Sequence, residues 1–180
     1  MRSFLFAILF LLPLAVTAQD RAGNDTPGEW RVTHHTPFGL WDSFCDERRT
    51  AELLEQRCYL RYVEVFSPRP NFGAMFIFIT PSGIEFGTER GTRFAPDGFR
   101  IEREGAVVWR ETRRACLRGR SCTLGGAEAD AFLETIAKGG ALRFEFVDRH
   151  GQAQDLTWDL SVMDKALADH RAEARARGLL

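Results

Sequence analysis

Lysine is nearly missing from this chain. Two of its 24 basic residues are lysines and the others are arginines, a bias that fits a GC-rich genome. Surplus positive charge is missing too, since the 180 residues carry a formal net charge of −1. Such a chain has no basic field for a phosphate backbone, so nucleic acid is not an expected partner. Long apolar runs are missing after Leu14, so no membrane span is expected beyond that point. Familiar catalytic signatures are missing: the chain has no G-x-S-x-G elbow, no H-E-x-x-H helix and no C-x-x-C pair. Ser43, Ser67, Ser82, Ser121 and Ser161 fall in turn, cap or loop contexts. No catalytic residue, cofactor or metal is therefore expected, and the chain is not read as an enzyme; the remaining alternative to a binding protein is a periplasmic thiol-exchange protein or enzyme, which the absence of a C-x-x-C pair disfavours. Internal repeats and low-complexity tracts are also lacking.

What is present starts with an export signal over residues 1–18. Arg2 supplies a positive start, and Phe4 to Leu14 form an apolar run too short to cross a bilayer comfortably. Val16, Thr17 and Ala18 are the small residues of a cleavage site, so Gln19 would open the mature chain. Removing Arg2 with this segment takes the net charge from −1 to −2. No cysteine follows the site, so no lipid anchor is expected. The destination is the periplasm or the exterior, where disulfides persist. Four cysteines, Cys45, Cys58, Cys116 and Cys122, suit that setting. They allow three pairings, of which Cys45–Cys58 with Cys116–Cys122 is the simplest; each loop closure is worth about 2–3 kcal/mol. None of their spacings matches a zinc finger.

Residues 19–29 are polar and read as a linker. A β domain follows over residues 30–168. Trp30 to Thr33 reads as a first strand. His34 to Gly39 reads as a solvated loop, because Pro37 and Gly39 punctuate it. Adjacent histidines on a strand would face opposite ways, so His34 and His35 share no metal unless a loop turns them together. Leu40 to Cys45 is a short strand or a turn, and Asp46 to Gln56 a helical excursion or a hairpin loop. Arg57 to Phe66 reads as a strand. Phe72 to Thr80 is apolar on both faces, which predicts a central strand covered on both sides. Ile84 to Glu89 and Thr92 to Phe94 continue the strands, and Phe99 to Glu102 pairs with Val107 to Thr112 as a hairpin. Ala127 to Lys138 changes to helical spacing, with Ala129, Phe132, Leu133 and Ile136 on one face and Gly139-Gly140 as the stop. Leu142, Phe144 and Phe146 alternate, and Leu156, Trp158 and Leu160 alternate back, with His150 in the turn. Ser161 is placed to cap a last helix whose end, residues 169–180, frays as a helical tail. His170 reads as incidental. Many short strands with one mid-chain helix and one C-terminal helix predict a β-sandwich.

Binding candidates follow from chemistry. Arg110, Arg113, Arg114, Arg118 and Arg120 crowd the Cys116–Cys122 segment, with Glu111 the one acid among them. Guanidinium groups suit carboxylates and phosphates, so this reads as an anion or partner-protein site, with anionic glycan or lipid headgroups as possible ligands. Trp41, in a region read as loop, is the candidate exposed binding anchor, while Trp158 alternates as a core residue.

Taken in order, these features resemble the invasion-associated locus B family of exported bacterial proteins. Gly28-Glu29-Trp30-Arg31-Val32 looks like that family's opening W-x-V strand, with Cys45 downstream and Cys58 after it. Thr80-Pro81-Ser82-Gly83-Ile84, followed by Gly87, looks like its P-x-G-hydrophobic segment, and Cys116, Gly119 and Cys122 its paired-cysteine corner. The helix to Gly139-Gly140, the Leu142–Phe146 strand and the closing Leu156–Leu167 segment follow in register, so the likeness covers roughly residues 28–168. Three features depart from it. Cys45 comes fifteen positions after Trp30, Val162-Met163 stands where the family has Gly-Phe, and the chain after Ala168 looks added. The resemblance implies an immunoglobulin-like β-sandwich in the periplasm or envelope, linked in some pathogens to host-cell entry. It implies an envelope or host protein as partner and no catalytic residues.

Overall fold

The computed structural model describes residues 29–67, 73–88, 98–117, 122–147 and 151–180. The expected export signal, nearly all of the expected linker, the strand expected over Thr92–Phe94, Arg118, Arg120 and His150 lie outside the described residues. In chain order the elements are β1 (Arg31–Phe38), β2 (Trp41–Arg49), β3 (Leu54–Ser67), β4 (Gly73–Thr80), β5 (Gly83–Thr88), β6 (Phe99–Arg103), β7 (Ala106–Glu111), α1 (Arg114–Leu117), β8 (Cys122–Leu124), α2 (Ala127–Ala137), β9 (Ala141–Val147), β10 (Ala153–Asp159) and α3 (Met163–Ala176). They form two antiparallel sheets. One is six-stranded, ordered β1-β2-β3-β4-β5-β8, and the other four-stranded, ordered β10-β9-β6-β7.

The sheets face each other across one core, as the alternating patterns require. From the six-stranded sheet come Trp41, Leu60, Tyr62, Ile77 and Phe86; from the other come Phe99, Phe144 and Trp158. Rings join the layers directly: Tyr62 lies 5.6 Å from Trp158, and Phe86 5.9 Å from Phe99. Helix α2 closes one end by inserting Phe132, which meets Phe86 and Trp109 edge-on at 5.3 Å each. Arg103 ties the end of that helix to β6 by donating to the carbonyls of Thr135 and Gly139. The β6–β7 hairpin turns through Glu104 and Gly105 at φ 51° and 80°, the left-handed pair that a tight hairpin needs.

Several expectations are corrected. His34 and His35 lie on strand β1, not in a loop. Pro37 is tolerated there because β1 is an edge strand, where a missing N–H breaks no ladder bond. Asp46 to Gln56 is neither helix nor long loop: β2 runs to Arg49 and β3 starts at Leu54, around a turn in which Thr50 Oγ1 accepts from Leu53 N–H at 3.2 Å. Trp41 is not exposed. It is 0% accessible and packs on Tyr62 with ring centroids 5.0 Å apart, because β2 already begins at this residue and points it inward. Ser43, on the same strand face, is buried too. Strand β4 is interior to its sheet, but it is covered on one face: Met75, Ile77 and Ile79 are buried, while Phe76 and Phe78 are partly exposed. Ser161 does not cap α3; Val162 holds that position without a side-chain bond, and Ser161 N–H donates to Asp159 Oδ1 at 2.8 Å.

The chain does not fray after Ala168. Helix α3 continues to Ala176 and buries His170 and Ala174, the latter against Cys45 and Cys58. The second half of the helix therefore docks on the sheet as the first does. Burial, reinforced by the neighbouring Arg171 and opposed by Asp169, pulls the His170 imidazole below its ordinary value.

Two outcomes follow. Trp41→Ala should cost about 3–5 kcal/mol in urea unfolding, the cost of emptying an aromatic core site and far more than a surface anchor would show. For His170, the unfolded chain takes up a proton near the ordinary pKa of about 6.5 and the folded chain resists it. Stability should therefore be full above that value and fall as the pH drops below it. His170→Leu should flatten that slope between about pH 7.5 and about pH 5.5, as read by unfolding midpoints.

Candidate functional site

The expected arginine cluster does not assemble among the described residues. Arg110 sits on β7 directly opposite Arg100 of β6, and joins Arg143, Glu145 and Asp155 around a 350 Å³ concavity on the outer face of the four-stranded sheet. Arg143 there donates to Asp155 at 2.8 Å and 2.7 Å and pairs with Glu145 at 2.8 Å. Glu102, which pairs with Arg100 at 2.9 Å, brings the acids to three against three arginines, so this face offers no surplus positive charge. Arg113 turns the other way. Its guanidinium holds Glu111 through Nε at 3.0 Å and Nη2 at 2.6 Å, and reaches Glu128 at 3.0 Å. Its backbone N–H also donates to Glu111 at 2.7 Å. Arg114 is exposed on the one-turn helix α1. The group diverges because β7 ends at Glu111 and the chain turns, so neighbours in sequence leave the strand in different directions.

Both cysteine pairs are bonded, Cys45 to Cys58 and Cys116 to Cys122. Cys45 and Cys58 are directly opposed on β2 and β3. Among the described residues the one close grouping of metal-ligating side chains is Glu111 with Cys116 and Cys122, whose sulfurs bond to each other.

A different surface stands out: the outer face of the six-stranded sheet. The two-residue period of β3 turns Cys58, Leu60 and Tyr62 inward and Arg57, Tyr59, Arg61 and Val63 outward. Neighbouring strands add His35 and Phe44 in register with Tyr59, and Phe78 diagonally from its place opposite Arg61, so the rings form a row across four strands. His35 stacks on Phe44 at 4.2 Å, Phe44 on Tyr59 at 5.7 Å, and Tyr59 meets Phe78 edge-on at 5.8 Å. Guanidinium groups lie on these rings: Arg61 is 4.4 Å from the Phe44 centroid, and Arg57 is 3.9 Å from that of Trp30.

Two carboxylates hold the arginines down. Asp46, buried beneath the face, accepts from Tyr59 at 2.9 Å and from Arg57 at 3.0 Å and 3.2 Å, all on Oδ2. Asp42 accepts from Arg61 at 3.0 Å and lies 3.0 Å from His35 Nε2. Burial raises the Asp42 carboxyl, but hydrogen bonds from His35 and Arg61 outweigh it and keep the group below its ordinary value. Burial and then the Asp46 carboxylate push the Tyr59 hydroxyl up to about 12. The side chains of the face are thus fixed before anything binds. They line a concavity of about 730 Å³ with Arg57, Tyr59, Arg61, Val63, Phe76 and Phe78 on its floor and Leu179 at one end. Val63, 37% accessible, and the partly exposed Phe76 and Phe78 leave apolar surface in water. No element among the described residues packs over it.

Sequence reading missed this surface. Its signal is the alternation Arg57-Cys58-Tyr59-Leu60-Arg61-Tyr62, in which every second residue is cationic or polar-aromatic. Period alone separates the two sets, but which set faces the second sheet follows from Cys58 pairing with Cys45 and Tyr62 meeting Trp158.

The chain has two tyrosines, Tyr59 and Tyr62, and both are held above the ordinary value. A tyrosinate absorbance titration of the folded protein should therefore show no step near 10. Asp46→Asn removes the acceptor charge and should return one tyrosine, Tyr59, toward that value.

Compared with protein-family models, with curated proteins and with solved structures, the chain matches none.

Proposed function

We propose that this chain is an exported envelope protein of the invasion-associated locus B type, and that it acts by binding another protein through the outer face of its six-stranded sheet. The observation that carries the reading is the aromatic row with arginines laid over it and a partly exposed apolar floor. Partly exposed rings such as Tyr59 and Phe78 beside preorganised guanidinium groups are the composition of binding hot spots, since they lose little side-chain entropy on docking. The ion pairs on the face leave no net field, which favours shape and apolar contact over bulk charge. Two disulfides suit an oxidising compartment, and no described helix is long and apolar enough to cross a membrane. The order of the family-like motifs supports the label. Anion binding at the 110–120 arginines has weaker support, because Arg113 spends its donors on Glu111 and Glu128.

A photo-crosslinking residue placed at Val63 in the full chain, expressed with its own residues 1–18, tests this in the envelope. A discrete crosslinked species should appear from position 63 and not from Arg143 on the opposite sheet. Phe78→Ala with Arg61→Ala should reduce it at least tenfold while leaving the folded fraction unchanged. Equal crosslinking from both faces would count against the reading.

A further inference from the structure

Ion pairs on the outer face of the six-stranded sheet follow one plan: a carboxylate bonds a guanidinium, and the guanidinium lies on a ring. Asp42 accepts from Arg61 at 3.0 Å, and Arg61 lies 4.4 Å from the Phe44 centroid. Asp46 accepts from Arg57 at 3.0 Å, and Arg57 lies 3.9 Å from the Trp30 centroid. The face holds one more ring with a carboxylate beside it. Phe78 of β4 stands directly opposite Glu85 of β5, and both face outward, since Ile77, Ile79, Ile84 and Phe86 are buried on the other side. Such a pair has its Cβ atoms about 5 Å apart. Glu85 is exposed and, among the described residues, bonds to no cation. Arg61, on the other side of Phe78 in the same rung, is committed to Asp42. Arg48, in turn, is committed to Glu55 at 2.7 Å. The third ring and acid therefore stand without a guanidinium. In the next rung Val63 is opposite Phe76, and Phe76 is opposite Gly87. Gly87 carries no side chain, so the floor beside Phe76 is open to an apolar group.

We propose, on the reading that this face binds protein, that the partner seats an arginine on the Phe78–Glu85 rung and an apolar side chain two residues away over Phe76 and Gly87. A guanidinium is planar, pairs with a carboxylate through two N–H groups and stacks on a ring, as the protein's own arginines do on either side. Its aliphatic stem covers apolar surface while the head reaches the acid. An acidic side chain in the same place would meet Glu85 as a like charge, so the face selects against acidic segments. Phe76 and Phe78 are two residues apart on β4, a rise of about 7 Å. An extended segment has the same rise, so the partner's segment is extended and carries the apolar residue and the arginine at alternate positions.

The test uses the full chain with its disulfides closed and three blocked pentapeptides, Leu-Thr-X-Thr-Leu, in which X is arginine, glutamine or glutamate. Binding is read from the amide shifts of Phe76 and Phe78. The arginine peptide should bind about fivefold tighter than the glutamine peptide, and the glutamate peptide weakest. Glu85→Gln should abolish the preference for arginine over glutamine, and Glu85→Arg should invert it in favour of glutamate. Phe78→Leu should weaken the arginine peptide roughly threefold with the carboxylate intact. Because Glu85 is exposed, its variants should keep the parent unfolding midpoint. In the envelope, Glu85→Arg should lower the species captured from position 63 about tenfold, while Glu104→Arg, in the β6–β7 turn, should leave it unchanged. No captured species from the parent chain would sink the binding reading itself. A captured species that Glu85→Arg leaves unchanged or strengthens would overturn the arginine assignment alone, as would three peptides bound alike or none bound.

Discussion

Cys45 and Cys58 stand directly opposite each other on β2 and β3, and the bond between them locks the pairing of those strands. Side chains alternate with a period of two, so a slip of one residue would exchange the faces of a strand. With this register Trp41 and Tyr62 meet in the core, and Phe44, Asp46, Arg57 and Tyr59 meet outside it. The opposite register would bury an arginine, a tyrosine hydroxyl and a carboxylate between the sheets. It would also expose the two largest rings of the inner layer. The disulfide therefore does more than restrict the unfolded chain: it chooses between two faces whose chemistry is incompatible.

Helix α3 depends on the same bond. Ala174 lies on the Cys45–Cys58 pair, a contact that a larger residue would prevent, and His34 of β1 sits 2.8 Å from Asp169 on that helix. The second sheet is shorter in strand number and covers only part of the inner face. The helix covers the end that remains. This is why the arginine- and alanine-rich end stays helical: its small residues face the sheet, while Glu173, 3.6 Å from His34, pairs with Arg177 at the rim of the contact.

Charge is arranged by layer. On the outer four-stranded face, Arg100 and Arg143 pair with Glu102, Glu145 and Asp155. On the outer six-stranded face the acids lie beneath the arginines and hold them flat on rings. At the Cys116–Cys122 corner, an arginine is drawn inward by a buried glutamate. Burial of the partner carboxylate makes the difference: Asp46 and Glu111 are buried, cannot be satisfied by water and recruit a guanidinium, whereas Asp155 stays in water.

Much of the fold was legible in the sequence by itself. The β6–β7 and β9–β10 hairpins, α2 with its glycine stop and the two-sheet class all follow from local period and turn chemistry, which operate over a few residues. The buried Trp41, the strand under His34 and His35, the dispersal of Arg110 and Arg113, and the ring row on the outer sheet face were decided by tertiary structure. Alternation tells which residues share a face but not which face is covered. That choice belongs to contacts between distant segments, Cys45 with Cys58, Tyr62 with Trp158 and Ala174 with the disulfide, and no window of sequence contains both partners of such a contact together with the layer that covers them.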